Sequence, residues 1–114
     1  MRHVVERPDA KRPSEAVLLI LLSLAERPRH GYALMKDIEI LSNGRVRLST
    51  GTLYGALRRL LEDQWIQRFE QADTSREKQA YRLTPIGRKQ LQMELDRMRQ
   101  LTRAAGARLR TREA

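Results

Sequence analysis

The sequence lacks cysteine altogether, and this absence removes several classes of protein. Without thiols, no disulfide framework, thiolate zinc site or cysteine nucleophile can form. Long apolar runs are also missing: the longest extends only from Ala16 to Leu22, whereas a membrane-spanning helix needs about 20 residues. No small-residue cleavage site follows that run. We therefore expect neither a membrane contact nor a signal peptide, and a cytoplasmic location.

Catalytic side chains are equally scarce. The two histidines, His3 and His30, lie far apart in the chain, and the acidic residues form no spaced pair on a recognisable scaffold. No general acid–base set results from these residues. We therefore expect that the protein is not an enzyme, and the sequence predicts neither a metal nor a cofactor.

Positive charge is the main compositional excess. Lys and Arg number 23 against 14 Asp and Glu, which gives a formal net charge of +9 over 114 residues. A chain of this length fits one domain, or one domain with an extension. The basic balance is typical of a protein with a polyanionic partner, although charge alone does not distinguish DNA from RNA or an acidic membrane surface.

Apolar residues at helical spacing predict four helices. The first covers about 14–26 with Ser14 as its cap, and the second ends near Asn43 and Gly44. The third follows a cap at Ser49 or Thr50, and the fourth begins at Thr84-Pro85, where proline suits the first helical position. The apolar seam by which the last helix would pair with another helix consists of Leu91, Leu95, Met98, Thr102, Ala105 and Leu109. Thr102 and Ala105 fill this seam poorly and Gly106 disfavours helix, so we expect order to fade beyond about Gly106.

Between the third and fourth helices, residues 65–69 and 79–83 predict a two-stranded hairpin. Three helices, a hairpin and a last helix describe a winged helix-turn-helix, so the predicted fold class is mainly α with a small β-hairpin. We expect a flexible N-terminal arm over 1–13 and a winged helix-turn-helix DNA-binding domain over 14–83. A C-terminal dimerisation helix with a basic tail completes the chain over 84–114.

Three motifs in order along the chain carry a family resemblance. The run Gly51-Thr52-Leu53-Tyr54-Gly55-Ala56-Leu57-Arg58-Arg59-Leu60 is preceded by His30-Gly31-Tyr32 and followed by Tyr81-Arg82-Leu83-Thr84-Pro85-Ile86-Gly87. Together they resemble the signature of PadR-like transcriptional regulators, of the short branch with a single C-terminal helix. The resemblance implies a homodimeric, ligand-responsive repressor that binds double-stranded DNA.

The sequence departs from this family at two places. Gln64 stands where many members have a glycine that closes the third helix, so this position needs a non-glycine in the left-handed conformation. Some short members hold aromatic effectors against a tryptophan in the last helix, but no aromatic residue follows Tyr81 here. The resemblance implies a small-molecule effector, but we do not expect the aromatic-lined pocket of those members.

Candidate DNA contacts lie mainly at the start of the third helix, whose short side chains allow close approach in a major groove. They are Tyr32, Ser49, Thr50, Gly51, Thr52, Tyr54, Arg58, Arg76 and Lys78. For each type of residue, a structural role without DNA contact remains an alternative. Ser49 or Thr50 can be only a cap, Arg58 and the hairpin cations only solvated, and the rings of Tyr32 and Tyr54 only packed against other helices.

Candidate dimer contacts lie on the first and last helices. They are Leu19, Leu22, Leu91, Leu95 and Met98. The first helix is apolar on more than one side, so either a second subunit or a core within one chain can cover it. In a dimer, the two copies of the third helix would enter successive major grooves of a near-palindromic operator, about 34–36 Å apart.

A winged-helix module that binds protein rather than nucleic acid is the competing hypothesis. The third helix carries balanced charge, so attraction to DNA must come from residues around it. The basic link from Arg45 to Arg47 and the hairpin are the expected sources.

Overall fold

The computed structural model describes residues 12–69 and 79–112. Within these ranges the helices are α1 (Glu15–Glu26), α2 (Gly31–Leu41), α3 (Thr50–Glu62) and α4 (Pro85–Arg112), and the strands are β1 (Arg29–His30), β2 (Ile66–Phe69) and β3 (Ala80–Leu83). The protein is mainly helical with a small antiparallel sheet, and the predicted fold class is confirmed. In the ranges described, no helix combines the length and apolar character that crossing a membrane requires.

The helix ends follow local signals in the sequence. The hydroxyl of Ser14 accepts a hydrogen bond from the Val17 amide at 3.2 Å, and the hydroxyl of Ser49 accepts one from the Thr52 amide at 3.1 Å. After α2 the chain turns through positive φ at Asn43 and Gly44. Gln64 has φ 65°, so the left-handed non-glycine expected after α3 is confirmed.

The sheet has one strand more than the sequence predicts. Its order is β1-β3-β2 with both pairings antiparallel, and β2 and β3 form the predicted hairpin. The additional strand pairs Arg29 with Tyr81 and His30 with Ala80. A strand of two residues has no alternating pattern, and its partner lies about 50 positions away, so local sequence reasoning misses it.

Helix α1 lies in the centre of the core. Ile20 and Leu21 are fully buried and pack with apolar residues of α2, α3, β2 and α4. Most of the apolar surface of α1 is therefore covered by the core of its own chain, which was one of the two alternatives. Leu18 and Leu22 remain only half-buried and leave apolar surface at its side.

A polar network ties α1, β1 and α2 together. The Nε of Arg29 donates to the backbone carbonyl of Ser23 at 3.2 Å, and its guanidinium forms ion pairs with Glu26 and Asp37. The hydroxyl of Ser23 donates to Asp37 at 2.6 Å. The Arg29 side chain is only 11% exposed, so this short strand holds a nearly buried charge with its partners in place.

Helix α4 begins in direct contact with the end of α3. The Thr84 hydroxyl donates to the carbonyl of Gln64 at 2.6 Å and accepts from the Gly87 amide at 3.0 Å. The Thr84 amide donates to the carbonyl of Trp65 at 3.0 Å. We call these contacts the α3–α4 junction; they fix the start of the last helix.

Beyond the junction, α4 continues through Gly106 to Arg112. The expectation that order fades near Gly106 is therefore wrong. One helical glycine disfavours helix by only about 1 kcal/mol, and the alanines and arginines around it are strong helix formers.

A substitution at Gly87 tests the junction. A Cβ atom there would lie 2.1 Å from the backbone oxygen of Trp65, which cannot rotate away. We expect Gly87→Ala to lower the free energy of unfolding by about 1–3 kcal/mol, measured by urea unfolding. The control is Gly106→Ala, whose Cβ would meet only the flexible end of Arg110 at 3.5 Å and should raise stability. Equal stability of the Gly87→Ala variant and the native chain would contradict this packing.

Candidate nucleic-acid interface

Helix α3 has one side in the core and one side in solvent. Leu53, Ala56, Leu57 and Leu60 are buried. At helical spacing on the other side lie Gly51, Tyr54, Gly55 and Arg58, which we call the outer face of α3. Thr50 and Thr52, in the first turn, are also exposed. The helix thus presents short side chains at its beginning and an arginine two turns later.

The first turn of α3 is partly bonded within itself. The Ser49 hydroxyl accepts from the Thr52 amide and donates to the Thr52 hydroxyl at 3.0 Å. The structure therefore shows Ser49 as the helix cap, while a DNA contact by Ser49 stays a prediction. Thr50 makes no side-chain hydrogen bond within the described ranges, so its hydroxyl is available to an external partner.

Two glycines leave the outer face of α3 without side chains at their positions. A Cβ atom at Gly51 or at Gly55 would meet nothing within 4 Å. Helical glycine is unfavourable by about 1 kcal/mol relative to alanine, and no neighbouring residue described here requires it. Gly55 was not among the predicted contacts. Its signal in the sequence is the four-residue spacing from Gly51, which places both on one side of a helix.

The two tyrosines behave differently. Tyr32, at the start of α2, is 68% exposed, with the Lys36 ammonium 5.4 Å from its ring centroid. The ring is therefore not packed in the core. Tyr54 is 42% exposed, and its hydroxyl oxygen lies against Gly31. Part of the packing alternative for Tyr54 thus holds, although the residue is partly exposed and lies one helical turn before Arg58.

The basic link before α3 is largely paired. Arg45 forms an ion pair with Glu15 at 2.5 Å, and the Nε of Arg47 pairs with Glu39 at 3.0 Å. The hydrogen bond from Arg45 lowers the pKa of Glu15. These acids are distant in sequence, so the pairing was not predicted. All four side chains are exposed, and such pairs are weak and sensitive to salt.

Other cations around α3 are better placed to add positive charge. Arg58 has no ion pair within residues 12–69 and 79–112. On the hairpin, Arg68 donates to Gln79 at 3.2 Å, and the Arg82 guanidinium lies 5.3 Å from the Phe69 ring centroid. Sequence reasoning named only Arg76 and Lys78 in this hairpin, and both lie outside the described residues.

Comparison with known proteins decides the family. Residues 20–93 match the transcriptional regulator PadR-like family. The chain belongs to this family. Members are DNA-binding transcriptional regulators rather than enzymes, so the resemblance and the expectation of no enzyme are confirmed.

Solved structures agree on the fold. A transcriptional regulator from Clostridium thermocellum is 25% identical, with a TM-score of 0.67 over 78% of this chain and 87% of that protein. A PadR family regulator from Clostridium difficile is 22% identical, with a TM-score of 0.70 over 84% of this chain and 99% of that protein.

One curated relative is similar in sequence. It is an uncharacterized 37.1 kDa protein in transposon TN4556 of Streptomyces fradiae, 40% identical over 91 residues. The match covers 80% of this chain but 25% of the relative, so this PadR-like chain spans about a quarter of that protein's length.

The predicted dimer contacts differ in how much of each side chain is exposed. Leu19 and Leu91 lie in the core of their own chain and offer little surface to a partner. Leu22 and Leu95 are half-buried, and Met98 is exposed. Further along α4, Leu101 is 59% exposed and was not predicted, whereas Leu109, 66% exposed, follows the spacing that predicts pairing of this helix with another helix. The role of all five predicted residues in a dimer stays a prediction.

An open cleft of about 630 Å³ lies beside the α3–α4 junction. Its lining combines apolar and polar side chains and comprises Leu61, Gln64, Ile66, Gln67, Arg68, Thr84, Pro85 and Ile86. The cleft therefore borders the end of α3, the strand β2 and the start of α4.

Gly55→Ala separates stability from DNA binding. Because the added methyl group meets open space, we expect the free energy of unfolding to rise by up to about 1 kcal/mol. Binding to a specific DNA site should nevertheless weaken several-fold, because the methyl group stands on the surface that is predicted to approach the groove. Calorimetry and fluorescence anisotropy measure the two effects. Gly106→Ala on α4 should gain stability with unchanged DNA affinity, and unchanged DNA affinity for Gly55→Ala would refute the role of this face.

Proposed function

We propose that the protein is a sequence-specific repressor that binds double-stranded DNA as a homodimer and responds to a small molecule. The outer face of α3 carries this proposal. Gly51 and Gly55 face open space there, and Arg58 has no ion pair in the described ranges. Membership of the PadR-like family supports DNA binding and regulation.

In this proposal α3 lies in the major groove, which is about 12 Å wide and accepts one helix. Thr50, Thr52 and Arg58 contact base edges, and Gly51 permits close approach of the backbone. Ser49, Tyr32 and Tyr54 contact phosphates with their hydroxyl groups. The hairpin of β2 and β3 acts as the wing, where Arg76 and Lys78 lie along the duplex.

A second copy of the chain pairs through α4. The distal half of this helix exposes Met98, Leu101 and Leu109, and half-buried Leu22 and Leu95 continue the apolar surface toward the body. Dimer formation removes these side chains from water. Two-fold symmetry then places two copies of α3 on successive turns of a near-palindromic operator.

The cleft beside the α3–α4 junction is the proposed place for a small-molecule effector. An occupant there would contact both the end of α3 and the start of α4, because Gln64 and Thr84 line it. Such a ligand changes operator affinity only if it binds one arrangement of these helices better than another. Its apolar lining residues and Arg68 favour an apolar molecule with a polar or anionic group.

Arg58→Ala tests base recognition. The DNA is the segment upstream of the protein's own gene, or a site selected from random duplexes, and affinity is measured by mobility shift against an unrelated duplex. We expect a loss of about 1–3 kcal/mol that is specific to the selected site.

The matched control is Arg103→Ala on α4, an exposed arginine far along the last helix, which should change operator affinity little. Equal losses on both duplexes would reassign Arg58 to a phosphate contact. Failure of the native protein to prefer any duplex would contradict the proposed function and favour the protein-binding alternative.

A further inference from the structure

Gly31, the first residue of α2, meets the end of the Tyr54 side chain from α3. A Cβ atom at position 31 would lie 2.2 Å from the Tyr54 hydroxyl oxygen and 2.9 Å from its Cζ atom. Both distances are shorter than any ordinary van der Waals contact. A side chain at position 31 and the observed position of the Tyr54 ring therefore exclude each other.

Backbone conformation does not explain the glycine. Gly44 has positive φ, whereas Gly31 has no positive φ and begins a regular helix. Any residue can adopt that backbone, and alanine would favour the helix. The requirement at position 31 is therefore space for the tyrosine, and the glycine and tyrosine of two separate sequence motifs form the two halves of one contact.

Tyr54 lies between two helices and a strand. It starts from the outer face of α3, between Gly51 and Arg58, and its hydroxyl end reaches the start of α2. Tyr81 of β3 lies nearby: burial raises the pKa of Tyr81, and Tyr54 raises it further. The tyrosine thus connects α3 with α2 and lies close to β3, the central strand of the sheet, and its ring has few rotatable bonds.

Buried Leu34 and Ile38 of α2 share one core cluster with Leu53 and Leu57 of α3, and the Tyr54 contact adds a constraint at the start of α2, outside that core. In the link between them, the buried Ser42 hydroxyl accepts from the Val46 amide at 2.9 Å, while the pairs Arg45–Glu15 and Arg47–Glu39 are exposed and weak at physiological salt. A rigid ring seated on bare backbone constrains direction better than flexible exposed side chains do. Base contacts depend on the helix direction, because a small displacement breaks a bidentate hydrogen bond.

We propose that Gly31 and Tyr54 form a steric lock that sets the direction of α3, which makes Gly31 a positioning residue for DNA recognition. The proposal rests on the proposed DNA-binding function. It assigns Gly31 a role through Tyr54 and no contact of its own with DNA.

The test is a double-mutant cycle in the full chain with Gly31→Ala, Tyr54→Phe and the double variant. Operator affinity, the preference for operator over unrelated DNA, and the thermal unfolding midpoint are measured for each. We expect Gly31→Ala to lose operator affinity about tenfold and to lose part of its preference. The double variant should bind within about threefold of Tyr54→Phe alone, because removing the hydroxyl removes the 2.2 Å overlap and leaves only the 2.9 Å approach to Cζ, which a small shift of the ring relieves. Gly106→Ala, in open surroundings, is the control for the glycine-to-alanine change itself.

Native affinity for Gly31→Ala would overturn the lock, and so would a double variant as weak as the product of the two single losses. If Gly31→Ala fails to fold, the lock requires that adding Tyr54→Phe restores a cooperative unfolding transition, and failure to restore it overturns the lock. If the native protein binds no duplex, the proposed function fails, while the unfolding midpoints of the cycle still decide the lock.

Discussion

The contact between the backbone oxygen of Trp65 and Gly87 determines how α3 and α4 are positioned relative to each other. It brings the chain after α3 and the first turn of α4 so close that a single methyl group has no room. The Thr84 hydroxyl bonds to both sides of this contact, to the Gln64 carbonyl and the Gly87 amide. Helices α3 and α4 therefore meet through backbone and short side chains, which leaves little freedom at the junction.

This rigidity gives each end of α3 its role. The far end is fixed to α4, the side is fixed to α2 through Tyr54 and Gly31, and the near end with Thr50 and Thr52 is open to solvent. A protein that reads DNA as a dimer needs this combination, because the distance between its two recognition helices must match the helical repeat. The cleft that Gln64 and Thr84 line is then well placed for control, since an occupant touches the parts that hold α3.

Much of the fold could be predicted because its signals are local. Ser14 and Ser49 cap helices three residues ahead of the amides they bind, and Pro85 marks the start of α4. The strand β1 could not be predicted, because two residues carry no period and their partner Tyr81 is remote. The ion pair of Arg45 with Glu15 was missed for the same reason, and it changes which cations are free to meet DNA.

The candidate site was predicted in outline but not in its sterics. Thr50, Thr52 and Arg58 are exposed where helical spacing places them, whereas the roles of Gly31, Gly55 and Gly87 depend on what lies across space from each. A glycine in a sequence indicates only a missing side chain. The structure distinguishes a glycine that makes room for Tyr54 or Trp65 from one that faces solvent.

Operator spacing is the sharpest test of the α3–α4 junction, because in the proposed dimer a rigid link from α3 to α4 fixes the separation of the two recognition helices. Affinity is measured for the selected operator and for versions with about half a helical turn, ~5 bp, inserted between its half-sites. We expect the insertion to reduce binding to that of a single half-site, since the second half-site then lies on the opposite side of the duplex. Equal affinity at every spacing would contradict this expectation.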